Sequence, residues 1–486
     1  MAHLLAIQCC EAVVGALRYH QSDETTTLEI LGTIIALGST SSTACAHLGE
    51  VGASQAVLDG VRCDDTRANV FEKALVAVEV LLAIESNLPK LLQASICKTL
   101  VASLQIHANV ENVAINACRV IQLFATNAII RSKLSSAGVC DIMRTLFSAH
   151  MATPSVMQAV CAAVATLAAN HTENKSQLTA AGVCEFVILA IQKYSLGESK
   201  LIGSALPPGS DLVVWQACWA LRMLSAGQEE NRTRLQAAHV CEALNAALQR
   251  HASCAEPMMQ VFRTLIVLAA QEQHSIVAHM GVTGICKSVV RVMNKNQSDA
   301  ALCKLGCQVI VRLGAEPSNL PILQSVKASE AVSSIIMVHA SADTHLTEWG
   351  CKALHTLCRD DMANHAKPRT GGEIQAVVWA IQRQGSFVEV AEWSTRVFSA
   401  LAGISVNAKK FGGSGGCEAI INLAKTHSRI PTVCEQACQV IHDLALDENN
   451  RAWLGASGGC DIVGTVLRHH SEMLVCALLL LWRWGN

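Results

Sequence analysis

The chain has 486 residues, 51% apolar, 16% charged and 4% aromatic, with a formal net charge of −2. The apolar fraction excludes a largely disordered chain, and the lack of a basic excess argues against a dedicated nucleic-acid binder. Ala, Leu and Val abound while Phe and Tyr are scarce, which suits packed helices better than sheets.

The first residues, Met1–Leu17, carry no basic n-region of a signal peptide. They run directly into an internal repeat. Ala-Gly-Val-Cys stands at 137–140 and 181–184, and Ala-His-Val-Cys at 238–241. Ser-Gly-Gly-Cys ends at Cys417 and again at Cys460. The same marker position falls at 10, 54, 97, 140, 184, 241, 286, 331, 374, 417 and 460. All but one interval is 43–45 residues, and repeats of this period are the signature of stacked helical arrays.

Each unit reads as three helices. An Asn often stands ten residues before the marker: Asn87, Asn174, Asn231, Asn364, Asn407 and Asn450. Asn is a good N-cap, so these residues are expected to start a short first helix that Gly or Ser-Gly closes. The second helix runs from the marker, as in Cys241–Leu248. The third runs about ten residues, as in Trp215–Leu224, with Pro154, Pro257 and Pro431 at third-helix starts. The interval from 184 to 241 is longer, 57 residues. Its extra residues lie near 196–210, are rich in turn formers and predict a surface loop, with Asp211 capping the helix that follows. Near the end, Met473–Trp482 is an apolar run of ten residues, against the ~20 a membrane helix needs. The last unit, about 450–486, is incomplete.

The 22 cysteines fall on the repeat. Cys10, Cys97, Cys140, Cys184, Cys241, Cys286, Cys417 and Cys460 occupy the marker, and Cys118, Cys161, Cys218, Cys307, Cys351 and Cys438 share one point on the third helix. Buried free Cys packs as a small hydrophobe, so packing is the expected role, in a reducing, cytoplasmic setting. No His completes a zinc set, and no metal or cofactor is expected. His20, His107, His150, His251, His427 and His470 lie ten residues after the marker, where a cation can bond the orphan carbonyls ending the second helix. The Gly-rich pieces 411–416 and 455–459 lack the strand and Lys-Ser/Thr of a phosphate loop and read as helix ends. No catalytic motif appears, and no enzyme is expected.

A three-helix unit of about 43 residues, with Asn231-Arg-Thr-Arg-Leu-Gln-Ala-Ala and Gln216-Ala-Cys-Trp-Ala-Leu-Arg-Met-Leu224, resembles the armadillo repeat. More distantly it is similar to the armadillo region of leucine-rich-repeat kinases. The resemblance covers nearly all of the chain. It implies an all-α fold, a right-handed helical solenoid of about 10–11 repeats forming one array over residues 1–486, with third helices lining a concave groove. In peptide-binding members a Trp and an Asn four residues later clamp an extended peptide. The Asn position here holds no Asn, and the Trp position holds one Trp, Trp219. Backbone clamping is therefore not expected.

These two groove positions carry Arg119, Arg263, Arg312, Lys352 and Arg396, with Trp219 between and Asp443 the one acid. Arg forks suit carboxylates and phosphates. The expectation is a non-enzymatic scaffold that binds an acidic segment of a protein or peptide partner through Arg119, Trp219, Arg263, Arg312, Lys352 and Arg396. No nucleic acid or membrane is expected as a partner, and self-association could follow from the open C-terminal repeat. Two alternatives stay open: a structural or regulatory array belonging to a larger multidomain protein, and a thiol-based redox- or metal-responsive protein.

Overall fold

A computed structural model describes residues 2–62, 67–93, 95–197, 205–270, 274–358, 371–403 and 405–469. Among the described residues the chain is helical throughout, with no strand. It forms two compact units, Met1–Arg250 and His251–Asn486. The marker falls inside the second helix of all eleven repeats, from Cys10 in Ala2–Tyr19 to Cys460 in Gly459–His469.

We number the ten third helices: α1 Glu24–Thr40, α2 Ala68–Leu82, α3 Glu111–Ala125, α4 Pro154–Ala168 and α5 Ser210–Ser225 in the first unit, then α6 Ala255–Leu268, α7 Ala300–Leu313, α8 Thr344–Cys358, α9 Val388–Ala402 and α10 Pro431–Leu444 in the second. Within each unit every third helix packs against the next, so the third helices form one layer. Small side chains permit this. Ala163, Ala165, Ala168, Ala217, Ala220 and the third-helix cysteines Cys118, Cys161 and Cys218 are fully buried between α3, α4 and α5, and small residues let helix axes approach closely. Larger side chains fill the space toward the other helices, as where Phe398 meets Phe411 with ring centroids 4.2 Å apart.

The expected caps are corrected. Asn87, Asn174, Asn231, Asn407 and Asn450 are not N-caps; they are buried. Each of the first four donates Nδ2–H to the carbonyl near the end of the preceding third helix: Leu81, Leu167, Leu224 and Leu401 at 2.9–3.3 Å. Asn87 also reaches across to the previous repeat's first helix, to Cys45 O at 3.0 Å, and Asn450 bonds Ala408 O of that helix at 2.6 Å. Asn319, in a repeat whose Asn falls slightly off register, makes both bonds, to Leu313 O at 3.0 Å and Val277 O at 2.9 Å. Asn364 lies outside the described residues. The N-cap role falls one turn earlier: Asp447 Oδ1 accepts from the amides of Asn449 and Asn450, and His171 Nδ1 accepts from Asn174 N. The amide's chemistry explains the shift. A side-chain NH2 has two donors and can bond two helix carbonyls at once in a dry helix junction, using lone pairs the backbone leaves free, which ties two helices together as an exposed cap does not.

The histidines end helices across the repeat boundary. His150 Nε2–H donates to Ala108 O at 2.6 Å, and His427 Nε2–H to Gly385 O at 2.6 Å. The acceptors lie at the end of the preceding repeat's second helix. His339 bonds Gln297 O at 2.7 Å in the same way, and Asn296 and Tyr194 substitute for His, bonding Ala252 O and Met151 O. His470 is outside the described residues. Cys460 departs from the packing expectation: it is exposed, whereas the other marker cysteines are buried. Of the insertion, 198–204 lies outside the described residues. The preceding helix runs to Leu196, and the following helix begins at Ser210 after Gly209, so Asp211 sits in the first turn rather than at the cap.

The first and second helices join through a left-handed residue. Gly52, Gly138, Gly182, Gly284, Gly415 and Gly458 have φ of 78–91°, and Ser95, His239 and Lys327 occupy the same place at φ 60–63°. A left-handed conformation costs an L-residue about 1–2 kcal/mol. Gly182→Ala, whose new Cβ meets nothing closer than 3.8 Å, should therefore lower stability in urea titration by about 1 kcal/mol. Lys327→Gly should raise it, though by less, because Gly also loosens the unfolded chain.

Candidate functional site

The exposed side of the third-helix layer carries the candidate residues. Arg119 is exposed on α3, and Trp219 is half-buried on α5, its ring centroid 6.1 Å from that of Trp215 one turn earlier. On the second unit, Arg263, Arg312, Lys352 and Arg396 are half-buried on α6, α7, α8 and α9. Their apolar stems lie on the layer while their heads stay near water.

Lys352 and Arg396 are brought together by residues outside the two positions read from sequence. Trp349 and Trp393 stand three residues before them on α8 and α9, one helical turn away on the same face. Lys352 Nζ lies 4.4 Å from the Trp349 ring centroid and 5.2 Å from that of Trp393. Arg396 Cζ lies 4.6 Å from the Trp393 centroid. His355 meets the edge of the Trp393 ring at 5.7 Å. A cation over an indole face is attracted by the ring quadrupole, by about 0.5–1 kcal/mol where water reaches it. The two tryptophans are 44 residues apart, and that match to the repeat period was the signal available in the sequence.

Lys352, one of the cations expected to meet an acidic segment, is already paired. Its ammonium sits 2.5 Å from Glu348 Oε1, one turn back on α8. Asp443 on α10 is likewise engaged, accepting from Gln439 Nε2 at 3.0 Å. Arg119, Arg263, Arg312 and Arg396 differ: none has a hydrogen-bond or ion-pair partner among the described residues. Arg396 lies over the Trp393 ring, and its guanidinium N–H groups have no hydrogen-bond partner among the described residues.

The thiols are turned away from chemistry. Burial pushes Cys118, Cys140, Cys241, Cys286, Cys303 and Cys351 up to about 12, and raises Cys161, Cys218 and Cys307 further. A thiol held protonated is a poor nucleophile and a poor metal ligand. Among the described residues no three His, Cys, Asp or Glu side chains converge on a metal position. No single described helix is long and apolar enough to cross a membrane.

No family description and no curated protein sequence matches the chain. Among solved structures, the chain is similar to an engineered protein known from its crystal structure, at 16% identity and a TM-score of 0.63, over 98% of this chain and 99% of that one. A second engineered protein aligns at 17% identity and a TM-score of 0.43, over 54% of this chain and 98% of that one. The first likeness is one of fold.

Proposed function

We propose that the chain is an armadillo-type solenoid acting as a non-enzymatic scaffold, and that the third-helix layer of its second unit holds an acidic segment of a protein partner. The three-helix period and the layer of third helices support the first part. One observation carries the second: Arg263, Arg312 and Arg396 lie on one layer with no acidic partner among the described residues, and Arg396 is already ordered on Trp393. Guanidinium forks of this kind pair bidentately with carboxylates or phosphates. Half-burial strengthens that pairing relative to open solvent. The free cysteines suit a reducing cytoplasmic compartment.

The test is peptide binding by fluorescence anisotropy, using Glu-rich and phosphoserine peptides. Saturable binding that weakens with salt is expected. The triple variant Arg263→Glu, Arg312→Glu, Arg396→Glu should weaken it by about a hundredfold or more, since each reversal replaces attraction by repulsion. Equal binding by the triple variant would sink the proposal.

A further inference from the structure

The first unit presents a different surface on its third-helix layer. A cavity of about 760 Å³ opens where α1, α2 and α3 lie side by side. Its walls include Ile35, Val76, Val80 and Leu123, and Leu123 is 44% exposed. These positions interrupt any basic row. Two carboxylates, Glu79 on α2 and Glu85 just beyond it, also line the cavity. Neither has a hydrogen-bond or ion-pair partner among the described residues. The nearby cations do not neutralise them. Lys73 lies toward Gly32 of α1, and Arg119 stands one turn before Leu123; neither lines the cavity.

We infer that this cavity docks a partner segment in which an apolar side chain is flanked by Lys or Arg. The inference rests on the scaffold reading and assigns to the first unit a partner chemistry opposite to that of the second. The cavity and such a segment are complementary in charge and in shape. A Leu- or Phe-sized side chain covers Leu123 and the valines and removes apolar surface from water. A long cationic side chain lays its methylene stem along Val76 and Val80 and brings its head to Glu79 or Glu85. An acidic segment would instead meet two unpaired carboxylates beside apolar walls, a repulsive placement. The volume is within the range of cavities that hold specific ligands, about 300–1,000 Å³.

The experiment uses the whole chain and two labelled synthetic peptides, one of Leu and Lys residues in a Gly-Ser background, the other with Glu in place of Lys. The Leu/Lys peptide should bind saturably and the Leu/Glu peptide should not bind at this unit. Glu79→Gln with Glu85→Gln, two mild isosteric changes at a half-buried and an exposed position, should weaken the Leu/Lys peptide by about tenfold. Leu123→Asp should weaken it further, with the far-ultraviolet circular dichroism spectrum unchanged. The triple arginine variant should bind it as the wild type does. The inference is overturned if the Leu/Lys peptide does not bind, or if the glutamine pair leaves its affinity unchanged. If only this peptide fails while acidic peptides still bind, the inference falls and the scaffold reading stands; if both classes fail, the scaffold reading falls with it.

Discussion

Raising the pH to about 10 should unfold the protein cooperatively, because its folded thiols keep protons that the unfolded chain releases. In the first unit burial raises Cys118, Cys140, Cys161, Cys184, Cys218 and Cys241 from 9.0 to about 11 or above. Below pH 9 the thiols are protonated in both states and this stabilisation is fully present. It is lost as the pH rises from 9 toward the folded values. By a pH of about 10 each thiol forfeits on the order of 1 kcal/mol. Six such groups together forfeit several kcal/mol, a large part of a typical domain's stability. Lys175 and Arg131, whose charged forms are disfavoured by burial, work in the opposite sense, but they are two groups against six. Circular dichroism against pH should show the transition, with thiolate absorbance rising at the same midpoint. Cys161→Ala with Cys218→Ala should move the midpoint upward. A helical signal that stays intact to a pH of about 11.5, or thiolates that form without loss of helix, would contradict the account.

Gly281→Ala is expected to destabilise the second unit by about 3 kcal/mol, or roughly 9 °C in melting temperature for a unit of this size. An added Cβ would lie 1.8 Å from Asn319 Oδ1. Asn319 cannot give way cheaply. It is 1% exposed and bridges Leu313 O and Val277 O. Expelling it breaks both bonds and strips the buried amide of its acceptors, at about 1–3 kcal/mol for an unsatisfied buried polar group, while Leu313 O keeps Glu316 N–H as a donor. Gly49 against Asn87 and Gly412 against Asn450 repeat the arrangement. Asn319→Ala alone should cost about 2 kcal/mol, and the double variant should cost much less than the sum, since the clash disappears with the amide. Strict additivity in urea unfolding would show that glycine and asparagine do not act as one joint.

The repeat was legible because the marker position recurs at a nearly constant interval and falls within the second helix in every unit. The role of Asn was not. Its position near a helix start suits a local cap, and nothing in a single unit's sequence reveals that the side chain turns back to the end of the preceding helix, or that Asn87, Asn319 and Asn450 also find acceptors 42 residues back. The site was legible in part. Arg263, Arg312 and Arg396 have no hydrogen-bond or ion-pair partner among the described residues, and the tryptophans beside Arg396 and Lys352 lie a turn away from the positions compared. Glu348, at i−4 from Lys352, follows the ordinary spacing of a helical ion pair; a row read down equivalent positions overlooks partners along the helix.

The carbonyl-directed bonds between repeats have a consequence for how such a chain can change length. His150 to Ala108, His339 to Gln297, His427 to Gly385 and Asn319 to Val277 each span 42 residues. Every acceptor is a backbone oxygen, which any residue supplies. Excising or duplicating one whole period inside a unit would hand each donor a new acceptor of the same kind. Partial periods would strand donor and carbonyl together. The joints therefore let the array grow and shrink in whole steps, whatever side chains the new neighbours carry.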